Sequence, residues 1–215
     1  MKNYDVILFD LDGTLTDPEL GITSCVQYAL RHFGIEVEDR KKLRPFIGPP
    51  LVDGFMELLG FSREMAEEAA QKYRERFAEK GIFENQIYPG IDSLLEKLKQ
   101  QGKLVGTATS KPEEFARRIL EHFGLDGYFD EITGAEMTIG GRRSKEDVLR
   151  CALDRMGVED KSRAVLVGDR KYDIEGAAKV GIDAIGVLYG FGSREEFSGA
   201  VAVAETVADL EKLLL

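Results

Sequence analysis

The apolar run Val6-Ile7-Leu8-Phe9 breaks off directly into Asp10-Leu11-Asp12-Gly13-Thr14, and this junction constrains the fold more than any other stretch. A short apolar run bounded by turn residues, as over Tyr4–Phe9, reads as a buried strand. Two carboxylates separated by one Leu then stand where that strand leaves its sheet, and Gly13 releases the chain. In an open parallel sheet the carboxyl end of the strands is where ligands bind. Two like charges buried there are unfavourable unless something cationic joins them. An Asp- and Gly-rich surface turn is the alternative, and the rest of the chain has to decide.

Strand-like apolar runs recur at Lys103–Thr107, Phe129–Thr133, Ala164–Val167 and Ala184–Val187. Helical patterns separate them, such as Ile91, Leu94, Leu95, Leu98 and Phe115, Ile119, Leu120, Phe123. Strands alternating with helices give an α/β fold with a doubly wound, Rossmann-like parallel sheet. Val201–Val203 adds an edge strand and Val207–Leu214 a closing helix. The alternation fails once, where more than eighty residues between the first two strands carry only helical patterns. One helix starts at Pro18 and stops at His32-Phe33-Gly34, a second covers Leu51–Leu59, and a third steps through Met65, Ala69, Tyr73 and Phe77. The interleaved charges Arg63, Glu67, Glu68, Lys72, Arg74 and Glu75 read as a solvated face. The expectation is therefore a catalytic core over 1–15 and 85–215, with a helical cap domain inserted over 16–84. Inserted just after the two acids, such a block stands where a lid would stand.

Bulk properties exclude several classes of partner. A net charge of −10 argues against a nucleic acid polymer or an anionic membrane, although small phosphates respond to local charge. No apolar run approaches the ~20 residues of a membrane span, and the N-terminus reads as a strand and not a signal peptide. Cys25 and Cys151 have no nearby Cys or His and read as buried thiols in a reducing compartment. These features point to a cytoplasmic location.

Other strand ends answer the opening acids. After the second strand, Thr109-Ser110 precedes a helix opening with Pro112-Glu113-Glu114, and a hydroxyl followed by free amides suits an anionic oxygen. Ser110 as a simple helix cap is the alternative. The fourth strand runs into Gly168-Asp169-Arg170-Lys171-Tyr172-Asp173, which puts Asp169 level with Asp10 and Asp173 one helical turn on. Arg170 and Tyr172 are placed to line the same pocket. Four carboxylates, Asp10, Asp12, Asp169 and Asp173, would then converge, with mutual repulsion of about 1–4 kcal/mol per close pair. A hard divalent cation resolves that conflict, and an all-oxygen donor set favours Mg²⁺. Ser144 can cap the next helix and place Lys145 in its first turn, against the helix dipole, which favours a functional role for that ammonium.

Taken together, these segments resemble the haloacid-dehalogenase superfamily with a helical cap. The pattern is a strand ending in D-x-D-G-T (Asp10–Thr14), one ending in Thr or Ser (Thr109), a downstream Lys (Lys145), and one ending in G-D-x-x-x-D (Gly168–Asp173). Phe46-Ile47-Gly48-Pro49-Pro50-Leu51 and Tyr189–Glu195 resemble the phosphoglycolate phosphatase and 5′-nucleotidase-like branch. The chain departs from the pattern where Glu146, instead of Pro, follows Lys145, which leaves Lys111 as the alternative phosphate-binding lysine.

The resemblance implies a Mg²⁺-dependent phosphatase acting on a small phosphorylated metabolite, as a monomer or weak homodimer. It makes Asp10 the nucleophile and Asp12 the general acid and base. Thr109, Ser110 and Lys145 would hold the phosphoryl group, and Phe46, Gly48 and Pro49 the substrate. Mg²⁺ would be held by Asp10, Asp12 through its backbone carbonyl, Asp169 and Asp173. A phosphomutase of the β-phosphoglucomutase type, or a pyrophosphatase, would keep these residues. Asp12 argues against a true dehalogenase, which needs neither this acid nor a metal. The alternatives without catalysis are a receiver-type domain and a phosphate-sensing regulator. A dinucleotide reading of Gly186, Gly190 and Gly192 fails because those glycines follow the last strands and not the first.

Overall fold

The computed structural model describes residues 2–138 and 140–215. In chain order the strands are β1 (Val6–Phe9), β2 (Thr16–Asp17), β3 (Gln86–Ile87), β4 (Leu104–Pro112), β5 (Glu131–Ala135), β6 (Ala164–Gly168), β7 (Asp183–Val187) and β8 (Ala202–Ala204). The α-helices are α1 (Glu19–His32), α2 (Leu51–Leu59), α3 (Arg63–Arg76), α4 (Ile91–Gln100), α5 (Glu113–His122), α6 (Lys145–Arg155), α7 (Lys171–Val180) and α8 (Val207–Leu214). Two compact units result. One comprises the chain up to Asp17 and from Ile87 to Leu215, and the other Pro18–Gln86.

The first unit is a parallel six-stranded sheet in the order β5-β4-β1-β6-β7-β8, surrounded by helices. From β1 the chain builds outward through β4 to β5, then returns to β6 on the other side and builds outward again. The boundary beside β1 is thus the topological switch point of a doubly wound sheet, the usual place for a ligand crevice. Both central strands are buried throughout, as expected for a parallel sheet covered on two faces. Their side chains alternate. Val6, Leu8, Ala164 and Leu166 join α6 and α7 residues such as Val148, Leu149, Ile174 and Ala177 in one core cluster, which leaves Ile7, Phe9, Val165 and Val167 for the opposite face.

Register then sets the site. Phe9, the last residue of β1, lies opposite both Thr107 of β4 and Val167 of β6, which sets the three strands level at this end of β1. The residues that follow, Asp10, Thr109 and Asp169, are thereby delivered to a single rim.

The second unit is helical. Its α1, α2 and α3 pack around Val26, Leu30, Phe55, Ala66, Ala69 and Tyr73. Met65 is exposed, and the apolar stripe of α3 instead runs through Ala66, Ala69, Ala70 and Tyr73. Phe77 falls in a π-turn, Phe77–Gly81, that follows α3. Two further boundaries differ from the sequence expectation. β4 continues through the polar residues Thr109–Pro112 because its edge pairs with β5 as far as Ala135. The two-residue strands β2 and β3 bracket the insertion and are too short to leave a periodic signal. Cys25 is buried as expected, whereas Cys151 is only partly so. Among the described residues no helix is long and apolar enough to cross a membrane.

Leu166 is fully buried at the centre of the sheet. Leu166→Ala should lower unfolding stability by about 2–5 kcal/mol, read from urea denaturation. A loss below about 1 kcal/mol would contradict this packing.

Candidate active site

The rim at the carboxyl end of β1, β4 and β6 collects four acids and two lysines within the first unit. Asp10 leaves β1 with its N–H donating to Val167 O at 2.9 Å, which ties it to β6. Gly13 turns the chain with φ +84°, a left-handed conformation that disfavours any side chain. It has a second reason to be glycine. A Cβ there would lie 2.1 Å from Asp169 Oδ2, so the missing side chain is the space Asp169 occupies. The same holds at Gly168, where a Cβ would meet Asp173 Cγ at 2.2 Å. Asp173 stands in the first turn of α7 and accepts from the Arg170 N–H at 3.0 Å. Asp10, Asp169 and Asp173 are buried, and their ligating oxygens lie within 4.8 Å of one another.

Lys145 answers this cluster. Ser144 caps α6 by accepting from Asp147 N–H at 3.1 Å, which puts Lys145 at the first helical position. Its ammonium lies 3.0 Å from Asp10 Oδ1 and 2.8 Å from Asp173 Oδ1, and donates to Ala108 O at 2.9 Å. Gly176 of α7 makes room for its stem, since a Cβ there would be 2.6 Å from Lys145 Cγ. Lys111 is also in the site, on a different acid: its ammonium is 2.7 Å from Asp12 Oδ2, and both side chains are largely buried. The two lysines therefore divide the acids. Three carboxylates share Lys145's side of the site, and that of Asp12 is turned to Lys111 instead of joining a cluster of four.

Thr109 is buried, with its hydroxyl accepting from Lys111 N–H at 3.2 Å. Ser110 corrects an expectation. It lies within β4, three residues before α5 starts at Glu113, so it neither caps that helix nor stands at its N-terminus. Arg170 directs its Nε to Glu196 at 3.1 Å. Phe46, Gly48 and Pro49 belong to the second unit, where the Phe46 ring packs on Phe55 with centroids 5.0 Å apart. The loop after β7, whose Tyr189–Glu195 segment carries part of the resemblance, also reaches this rim. There Phe191 N–H donates to Asp169 Oδ2 at 2.8 Å, and Tyr189 Oη–H donates to Thr14 O at 3.1 Å. The available signal was the pair of glycines flanking Phe191 directly beyond a strand.

The electrostatics of the site are unbalanced. Burial pushes Asp169 well above the usual carboxylate range, and Asp173 and Asp10 push it further. Burial raises Asp173 to about 6 although Lys145 pulls the other way. Asp12 is raised by burial despite Lys111. Burial disfavours the Lys145 charge, but Asp10 and Asp173 outweigh that and hold it protonated across the working pH range. Asp169 Oδ1 is buried without a hydrogen-bond partner among the described residues, as is Asp12 Oδ1. One ammonium against three clustered carboxylates leaves excess negative charge. An all-oxygen donor set with an orphaned carboxylate oxygen fits a hard divalent cation.

The model of the haloacid dehalogenase-like hydrolases matches residues 7–187. The chain belongs to this family. This haloacid dehalogenase-like hydrolase is 48% identical over 193 residues to a 5′-nucleotidase of Pseudomonas aeruginosa, covering 90% of this chain and 86% of that one. It is 40% identical to the tyrosine-protein kinase PtkA of Mycobacterium tuberculosis, covering 99% of this chain and 73% of the other. A solved structure described as a predicted phosphatase from Clostridium acetobutylicum superposes on the hydrolase with a TM-score of 0.94 at 46% identity, covering 99% of each chain.

Removing the Lys145 ammonium leaves Asp10 and Asp173 buried without their shared counter-charge. Lys145→Met should therefore destabilise the metal-free protein by about 3–5 kcal/mol at pH 7.5. The loss should shrink toward pH 5, where carboxylates with raised pKa values take up protons in the folded state. Equal losses at both pH values would contradict the assignment.

Proposed function

We propose that this hydrolase is a Mg²⁺-dependent phosphatase that cleaves a small phosphomonoester through an aspartyl-phosphate on Asp10. The observation that carries the reading is the division of the acids: Asp10 sits with Asp169, Asp173 and Lys145, and Asp12 is held apart by Lys111. Phosphoryl transfer needs positioning and charge neutralisation above all, and such a site supplies both. Asp10, Asp169, Asp173 and the backbone carbonyl of Asp12 would hold Mg²⁺, which when bound neutralises negative charge on the phosphoryl oxygens.

The rest is done by the chain. A carboxylate oxygen of Asp10 attacks phosphorus, and the bond from phosphorus to the leaving oxygen breaks. Asp12 gives its proton to that oxygen, and its pKa, raised by burial, suits it to carry one. In the second half Asp12 takes a proton from the attacking water. The bond from phosphorus to Asp10 breaks, inorganic phosphate leaves, and the Asp10 carboxylate is restored. Thr109, Ser110 and Lys145 hold the non-reacting phosphoryl oxygens.

The similarity to a 5′-nucleotidase favours a nucleoside 5′-monophosphate, and a phosphoglycolate-like ester is the next candidate. The kinase among the relatives supports a second reading, in which the phosphoryl group moves to or from a tyrosine hydroxyl. Both readings use the same Asp10 and Asp12, and the acceptor separates them. A phosphate-release screen with Mg²⁺ over nucleoside monophosphates, phosphoglycolate, sugar phosphates, pyrophosphate and a phosphotyrosyl peptide tests the first reading. Labelling of a tyrosine peptide by radioactive ATP, without phosphate release from any ester, would favour the second.

Asp10→Asn should cost at least about 10³-fold in turnover while the circular dichroism spectrum stays that of the wild type. Robust turnover by this variant would sink the nucleophile assignment. Excess EDTA should abolish phosphate release and added Mg²⁺ restore it. Undiminished release in chelator would count against the metal site.

A further inference from the structure

The loop that follows β7 packs against Asp169. Phe191 N–H takes Asp169 Oδ2 at 2.8 Å and leaves Oδ1 as the orphaned oxygen. Tyr189 anchors the loop to the opening motif, with its hydroxyl donating to Thr14 O at 3.1 Å. The two glycines are required by space. A Cβ at Gly190 would meet Gly13 O at 2.2 Å and Asp169 Cβ at 2.5 Å, and one at Gly192 would meet Asp169 O at 1.9 Å. Gly13 completes the enclosure from the β1 side, since a Cβ there would overlap the Asp169 carboxylate. Asp169 is therefore gripped on its backbone, its Cβ and one carboxylate oxygen, all by elements that do not ligate.

We propose that Tyr189–Gly192 is a positioning loop that sets divalent-cation affinity by fixing Asp169 as a one-oxygen ligand through Oδ1. The inference rests on the reading of Asp10, Asp169 and Asp173 as a divalent site, and it assigns to the loop a task beyond packing. Small octahedral cations tolerate little displacement of a ligand, so loosening this grip weakens binding without removing any ligand. Within the site the loop touches Asp169, Gly13 and Thr14, and the Tyr189 ring packs on Tyr88; Tyr189 and Phe191 are positioning residues.

The test is titration of the purified full-length protein with Mn²⁺, followed by the loss of the free-ion electron paramagnetic resonance signal. Melting of each metal-free variant is measured in parallel. Gly192→Ala should weaken Mn²⁺ binding about 10–100-fold. Tyr189→Phe, which removes only the hydroxyl anchor, should weaken it in the same direction by a smaller factor and keep a cooperative melt. If Gly192→Ala does not fold, Tyr189→Phe decides alone. Wild-type Mn²⁺ affinity in folded Tyr189→Phe overturns the inference and leaves the metal site standing. A variant whose metal-free melting point falls while its Mn²⁺ affinity is unchanged does the same, because it makes the loop merely structural. Absence of Mn²⁺ binding by the wild type overturns the metal reading itself, and the loop's role with it.

Discussion

The Lys145 ammonium, wedged between Asp10 and Asp173 and backed by Ala108 O, is the interaction on which the site depends. Three strand-end and helix-start acids cannot be buried together without it, because the repulsion of close carboxylates in a poorly solvated rim is worth kilocalories. The fold is arranged around its delivery. Ser144 starts α6 at the right residue, Gly176 lets α7 pack across the lysine stem, and β4 supplies the backing carbonyl. One positive charge is still too few for three negative ones. The remaining deficit is what the proposed divalent cation would offset.

Lys111 and Asp12 form a second, separate solution to the same problem. Pairing Asp12 with its own lysine keeps its carboxylate out of the cluster of Asp10, Asp169 and Asp173, so two acids one residue apart along the chain face different chemistry. Leu11 between them is fully buried, and the chain leaves the extended strand after Phe9, so residues 10 and 12 are not held to one face as they would be in a continued strand.

Much of this was legible in the residue order, and the limits have physical causes. β1 and β6 were plain because both faces of a central parallel strand are apolar. α2 and α8 were found at their observed ends because Pro or Gly and a capping Thr mark them. β4 was cut short because extended backbone persists through Thr109–Pro112 by pairing with β5, a tertiary effect with no hydrophobic signature. That misreading also misplaced Ser110 at a helix start. Spacing does not decide whether Lys145 or Lys111 serves the phosphate, because Lys111 is placed by β4 and Lys145 by the start of α6, and their meeting is a tertiary effect. The Tyr189–Glu195 segment is legible as a resemblance, but its contact with Asp169 is not, because its glycines answer the bulk of a residue some twenty positions back along the chain.

The buried carboxylates of Asp169 and Asp173 are protonated more readily than usual because burial and the neighbouring acids disfavour their charge, and these are groups proposed to hold a divalent cation. Calorimetric titration of the protein with Mg²⁺ in buffers of different ionisation enthalpy measures this directly, since metal binding must displace those protons. With Asp173 at about 6 and Asp169 raised as well, binding at pH 6 should release protons, and the release should shrink as the pH is raised. Mg²⁺ binding at pH 6 with no proton release would contradict the account.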